Sequence, residues 1–155
     1  MLDSRVSICG GLLLCALALG ACSTKPMTMP MAMMSEATAM SARLSGASEV
    51  PPTATSASGS VEASLDKKSS ELSWTVTYSG LSGPATAAHF HGPAMPGANA
   101  GVVVPLTGDM ASPMKGKSIL TAAQAADLLA GKWYMNVHTT ANPGGEIRGQ
   151  VNPAN

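Results

Sequence analysis

The chain has 155 residues, and its 9 basic and 9 acidic side chains balance to a formal net charge of zero. Only 12% of the residues are charged, which excludes the basic surface that nucleic-acid binding needs and an electrostatic attachment to anionic lipid. Aromatic residues make up 3% of the chain, so the core must be built mainly from aliphatic side chains and methionine. The length suits one domain of ordinary size.

A secretory signal peptide is predicted at residues 1–21. Its apolar run, Ile8–Leu19, is shorter than the roughly 20 residues that span a membrane, and small residues precede a cysteine in Leu19–Cys22. This segment resembles the bacterial lipobox, in which the cysteine is acylated and becomes the first mature residue. The resemblance implies lipidation of Cys22 and, with Ser23 following, an outer-membrane location facing the periplasm. The alternative is an ordinary signal peptide followed by an incidental cysteine.

Residues 22–40 are predicted to form a flexible, methionine-rich tether. Pro26 and Pro30 disfavour a helix, and no apolar period is present that would close a core. Thioethers are soft ligands that favour Cu(I), and the tract resembles those of bacterial copper-handling proteins. The candidate ligands are Met27, Met29, Met31, Met33 and Met34. The alternative is a low-complexity linker in which methionine is incidental.

Residues 41–155 are predicted to form one antiparallel β domain. Apolar residues alternate with polar ones in two runs, 61–65 and 72–78, which are separated by the polar turn 66–70. This alternation is typical of half-buried strands and predicts a hairpin. Further strands are predicted within the segments 43–52, 85–91, 101–106, 132–139 and 146–151.

One helix is predicted at about residues 121–130. Thr121 and Gln124 have the spacing of a capping box, and Gly131 suits the C-terminal end. Many short strands with Gly/Pro turns and a single helix predict a Greek-key β-sandwich or barrel.

All three histidines of the chain lie in two of the predicted strands. His89 and His91 are two residues apart and therefore point to one face, with Phe90 on the other. If the strand that carries His138 is a neighbour, three imidazoles converge in a set that suits copper or zinc. The alternative is structural histidines whose ring N–H groups bond to loop carbonyls.

Four ordered segments resemble the CHRD domain, a family named for repeats in chordin and also found in bacterial exported proteins. The segments are Glu49–Pro52, His89–Ala94, Leu129–Thr139 and Asn142–Gln150, and the resemblance covers roughly residues 41–152. In chordin the domain belongs to a secreted binder of growth factors. The resemblance therefore implies an exported domain without fixing what it binds.

A partial resemblance to copper-zinc superoxide dismutase involves His89, His91, His138 and Arg148. In that family an arginine guides the anion to copper, as the electrostatics of a charged cleft allow. This chain lacks a fourth copper histidine, the histidines of the zinc site and the disulfide. Arg148 is therefore expected to be a strand-surface charge paired with Glu146 or a cross-strand partner. The candidates for a fourth metal ligand are Met95, Met110, Met114 and Met135.

No catalytic serine motif, phosphate-binding loop or carboxylate pair is evident, so the sequence predicts a protein that is not an enzyme. The leading hypothesis is a lipid-anchored envelope module that binds copper through His89, His91 and His138. The alternatives are a metal-free structural or protein-binding module that docks an envelope protein, and a dismutase-like enzyme.

Overall fold

The computed structural model describes residues 36–154. The predicted signal peptide, Cys22 and the five methionines of the predicted soft-metal tract lie outside these residues. The first strand begins at Ala37, so the last four residues of the predicted tether belong to the domain. Met40 is buried there, because it continues the period-two pattern of Ala42 and Leu44. In the sequence this pattern is hidden by the run of methionines that precedes Met40.

Eight strands, one short 3-10 helix and one α-helix make up the domain. They are β1 (Ala37–Ser45), the 3-10 helix (Gly46–Ser48), β2 (Ser58–Asp66), β3 (Glu71–Ser79), β4 (Ala85–His91), β5 (Val102–Pro105), β6 (Met114–Ile119), α1 (Ala122–Leu129), β7 (Trp133–Thr139) and β8 (Ile147–Pro153).

The strands form a single sheet in the order β5-β4-β7-β8-β1-β2-β3-β6. Every neighbouring pair is antiparallel, and the sheet curves into a nearly closed barrel. The predicted antiparallel β architecture with one helix is confirmed.

Alternate strand residues fill the inside of this sheet, as period two requires. Leu72, Trp74 and Val76 of β3 are buried, which confirms the predicted inner face of the hairpin. Trp74 packs edge-on against Phe90 of β4 with ring centroids 5.3 Å apart, and Phe90 also contacts Trp133 of β7. Although aromatic residues are few, three of them hold the centre of the core together.

Strand β6 is not evident from the sequence. Its segment Met114–Ile119 carries only two large apolar residues, and Ile119 is 64% exposed. The strand forms because its backbone pairs with β3 at the edge of the sheet. Gly116 faces Trp74 so closely that a Cβ there would lie 2.7 Å from the indole ring, so tertiary packing rather than hydrophobic patterning defines this strand.

Helix α1 begins and ends where the sequence predicts. The Thr121 side chain accepts a hydrogen bond from the Gln124 N–H, and the Gln124 side chain accepts one from the Thr121 N–H. Gly131 ends the segment with φ +67°, a backbone angle that favours glycine. No helix within residues 36–154 is long and apolar enough to cross a membrane.

Replacement of Thr121 by alanine is expected to lower the free energy of unfolding by about 1 kcal/mol, because the cap of the Gln124 N–H is lost. Urea denaturation measures the change. Thr107→Ala at an exposed loop position is the matched control and should change stability by less than about 0.5 kcal/mol. Equal stability of the Thr121 variant and wild type would contradict a stabilising role for the Thr121 cap.

Candidate metal centre

Two adjacent strands bring the three histidines together on the outer face of the sheet. Strand β4 pairs with β7 in a register that sets His89 opposite Asn136 and Ala87 opposite His138. His89, His91 and His138 then share one face, while Phe90 and Val137 point into the core. The structure thus confirms the predicted convergence of the histidines.

The spacing of the ring nitrogens is close to what one metal ion needs. One nitrogen of each histidine lies within 4.8 Å of the other two, and His89 Nδ1 is 3.1 Å from His138 Nε2. A tetrahedral ion about 2 Å from each nitrogen requires nitrogens roughly 3.3 Å apart. The His89–His138 pair is close to this spacing, and no pair of ligand nitrogens in the set is more than 4.8 Å apart.

Backbone carbonyls fix which nitrogen of two of the rings carries the proton. His91 Nδ1 is 3.0 Å from the Ala100 oxygen, and His138 Nδ1 is 2.9 Å from the Pro143 oxygen. A carbonyl only accepts, so each Nδ1 must donate, and in a neutral ring Nε2 is then left with a free lone pair. Metal-binding histidines are held in this way by carbonyls behind them.

Asn136 lies at the centre of the cluster on β7 and is 3% exposed. Its Oδ1 is 3.1 Å from His91 Nε2 and 3.0 Å from His138 Nε2. The sequence does not mark Asn136 as a site residue. The available signal was its position midway between Tyr134 and His138 in the period-two pattern.

Burial lowers the pKa of His89 and of His138 below the ordinary value. The neighbouring His138 and His91 act in the same direction on His89. For His138, the bond to Pro143 opposes the shift without cancelling it, and His91 adds to it. Both rings are therefore neutral at pH 7, the protonation state that binds a metal ion.

Tyr134 supports the cluster from the side. Its ring stacks on His91 with centroids 4.7 Å apart and an interplanar angle of 1°, and the Arg148 guanidinium carbon lies 3.3 Å from the Tyr134 ring centroid. Strand β7 lies between β4 and β8, so the Tyr134 ring separates the His91 imidazole from the Arg148 guanidinium. The Ala100 N–H donates to the Tyr134 hydroxyl, which ties the overlying loop to the sheet.

The expectation that Arg148 is a surface charge is wrong. Arg148 is 2% exposed and donates to Asn99 Oδ1 at 2.8 Å and to the Ala98 oxygen at 2.6 Å. The loop between β4 and β5 folds over β8 and buries the guanidinium, and this long-range contact leaves no trace in the local sequence. Arg148 therefore holds the loop in place.

Glu146 is not paired with Arg148 but forms a separate buried network. Its carboxylate accepts hydrogen bonds from the Ser82 N–H and the hydroxyls of Ser82, Thr139 and Thr55 at 2.6 to 2.9 Å. Burial opposes ionisation, but these donors outweigh it and lower the pKa of Glu146 to about 2. This network cannot be predicted from local sequence because its donors belong to three separate segments of the chain.

Glu49 lies behind Asn136 and is 5% exposed. Burial raises the pKa of its carboxyl, against the opposing effects of the Val50 backbone, Arg148 and the Asn136 amide. Among the described residues, Glu49 Oε1 is a buried atom without a hydrogen bond of ordinary geometry. Glu49 Oε1 and Asn136 Nδ2 both lie against the backbone of Gly145.

The candidate methionine ligands lie elsewhere. Met114 and Met135 are buried in the core, Met110 packs against it, and Met95 is 62% exposed. Met135 points inward because its neighbours on β7, Tyr134 and Asn136, point outward. The side-chain oxygen that lies beside His91 and His138 is Asn136 Oδ1.

The fold and the site define an antiparallel β domain that carries a histidine cluster on the outer face of two adjacent strands. The profile of the CHRD domain matches residues 40–151, and the chain belongs to the CHRD domain family. The matched region includes the three histidines, Asn136 and Glu49. No curated protein and no solved structure matches the chain. The resemblance to the dismutase stays a prediction.

Proposed function

We propose that this CHRD protein is a copper-binding module of the bacterial cell envelope and that His89, His91 and His138 bind the ion. The observation that carries the proposal is the convergence of three ring nitrogens within 4.8 Å, with the His91 and His138 rings oriented by carbonyl oxygens on their opposite sides. Imidazole suits copper and zinc, and Cu(II) binds most tightly among the divalent first-row ions.

Copper titration of the purified protein tests this function. Wild type is expected to bind one Cu(II) ion at the histidines, and the triple variant His89→Ala, His91→Ala, His138→Ala is expected to bind at least 100-fold more weakly, because all three nitrogens are removed. Competition with a chromophoric chelator of known affinity measures the difference.

A matched triple variant controls for the loss of side chains in general. Glu36, Glu62 and Glu71 are removed by alanine substitution; they are potential oxygen ligands away from the histidine cluster. This control should bind copper as wild type does. Equal copper affinity of the triple histidine variant and wild type would overturn the proposal for these residues.

The remaining parts of the proposal concern the segment before the domain. Lipidation at Cys22 would attach the protein to the outer membrane, facing the periplasm. The methionines at positions 27, 29, 31, 33 and 34 would buffer Cu(I) or deliver it to the domain, since thioethers favour that ion. Cu(I) binding that persists in the triple histidine variant would support this separation of roles.

A metal-free structural or protein-binding module is the second candidate, and the bonds from His91 and His138 to loop carbonyls favour it. Under this function, removing the histidines loosens the loops and lowers stability. Capture of an envelope protein partner would stay unchanged, and wild type would bind copper no better than the triple variant.

A further inference from the structure

We propose that Asn136 Oδ1 is a fourth ligand of the metal site and that Gly144 and Glu49 hold the amide in the orientation that makes it one. The inference rests on the proposed function, because it assigns one more ligand to the ion held by the three histidines. It also specifies the class of ion, a divalent cation.

The groups behind Asn136 determine which end of its amide faces the histidines. Asn136 Nδ2 lies 3.5 Å from the Gly144 oxygen, and the same amide interacts favourably with the Glu49 carboxylate. Both partners are acceptors, so the NH₂ group must face them. In this orientation the NH₂ group faces the Gly144 oxygen and Glu49, and Oδ1 faces the two imidazoles.

The backbone at Gly145 is shaped around this contact. A Cβ on Gly145 would lie 2.3 Å from Glu49 Oε1 and 2.6 Å from Asn136 Nδ2, closer than a side-chain carbon can approach. Gly145 also has φ +125°, where side chains other than hydrogen are strained. The turn from Asn142 to Glu146 thus leaves room only for the amide and the carboxylate.

Asn136 Oδ1 lies beside the Nε2 atoms of two imidazoles. His91 Nε2 and His138 Nε2 lie 3.1 and 3.0 Å from Asn136 Oδ1, and in a neutral ring the single proton lies on Nδ1, which faces a carbonyl on the opposite side. The proton of neutral His89 can sit on Nδ1, where it bonds to His138, or on Nε2, which frees Nδ1. The two Nε2 lone pairs then face Oδ1 at 3.1 and 3.0 Å, and a bound cation would relieve the repulsion between them.

The distances also fit shared ligation. Ligand atoms around a tetrahedral ion at about 2 Å are separated by roughly 3.3 Å, and the Oδ1 distances to the two imidazoles are 0.2 to 0.3 Å shorter than that. An ion entering between them needs only slight outward movement of the side chains. Asn136 then occupies the fourth position, for which the sequence offered only methionines as candidates.

This ligand set decides between oxidation states of copper. Three imidazole nitrogens and an amide oxygen form a harder set than one that includes a thioether, and harder ligands favour divalent ions over Cu(I). The domain should therefore hold Cu(II) or Zn(II).

Replacement of Asn136 by leucine tests the assignment in the full chain. The variant is expected to bind Cu(II) at least tenfold more weakly than wild type, whereas its Cu(I) affinity should change by less than about threefold because the oxygen contributes little to that ion. Co(II) absorption provides a readout that a merely structural role would not move, since loss of a ligand alters the intensity and position of its visible bands.

Two further variants complete the test. Asn152→Leu makes the same substitution on an exposed part of β8 and should leave Cu(II) affinity and the Co(II) spectrum unchanged. Asn136→Asp keeps an oxygen at the site and adds a negative charge; it should bind Cu(II) at least as tightly as wild type. If the leucine variant does not fold, the aspartate variant decides, and Cu(II) affinity reduced tenfold in it would overturn the assignment.

The two proposals fail in different ways. If wild type and the triple histidine variant bind copper equally, the proposed function is wrong. If wild type binds through the histidines and Asn136→Leu shows the wild-type Cu(II) affinity and Co(II) spectrum, the function stands and the fourth ligand is wrong.

Discussion

Replacement of Glu146 by alanine is expected to lower the free energy of unfolding by about 4 kcal/mol. The substitution leaves the Ser82 N–H and the hydroxyls of Ser82, Thr55 and Thr139 without the acceptor that they share. A buried donor left unsatisfied costs about 1 to 3 kcal/mol, and a carboxylate-sized void adds to this cost. Urea denaturation at pH 7 measures the effect.

Glu62→Ala on the exposed side of β2 is the matched control and should change stability by less than about 0.5 kcal/mol. A cost below about 1 kcal/mol for Glu146→Ala would contradict a role for the network in stability.

The contribution of Glu146 depends on pH in a defined direction. Its pKa in the folded protein is about 2, below the ordinary value of 4.5, so the unfolded chain takes up the proton first as pH falls. The stabilisation is complete above pH 4.5 and is lost as pH falls from there to 2. The stability difference between wild type and the alanine variant should shrink over that range.

Saturating Cu(II) is expected to raise the free energy of unfolding of the wild-type protein by about 4 kcal/mol when free copper exceeds its dissociation constant by a thousandfold. The gain arises because the histidines converge only in the folded state. Urea denaturation at pH 7, with and without copper, measures it.

The triple histidine variant provides the comparison and, if it binds copper 100-fold more weakly, should gain no more than about 1.4 kcal/mol under the same conditions. An equal gain in both proteins would show that copper binds elsewhere. Burial lowers the pKa of His89 and His138 below the ordinary histidine value, so protons compete with the ion only at lower pH than for a free imidazole. The copper effect should therefore be full at pH 7 and decline in acid as protons displace the ion.

Much of the fold is predictable because its signals are local. Alternation in the segments 72–78 and 85–91 follows from the pleat of a strand, which sends successive side chains to opposite faces. The capping box at Thr121 satisfies backbone N–H groups within one turn of the helix. Strand β6 was missed for the opposite reason: it is held by pairing with β3 rather than by an apolar pattern of its own.

The candidate site was predictable in part. The spacing of His89 and His91 places them on one face of a strand whatever the rest of the chain does. The role of Asn136 depends on the Gly144 carbonyl and Glu49, which approach it only after the turn before β8 and the segment after β1 are in position. The burial of Arg148 likewise depends on the loop that carries Asn99.

The sequence by itself determined that the chain contains an antiparallel β domain and that two of its histidines share a face, because strand periodicity is a steric property of neighbouring residues. Only the tertiary structure decided that β7 lies beside β4 and that His138 and Asn136 complete the cluster. It also decided that Glu146 and Arg148 are both buried, each with its own hydrogen-bond partners rather than with the other. These features depend on the register between strands that are distant along the chain. That register is selected by hydrogen-bond pairing and core packing across the whole sheet, not by any local pattern.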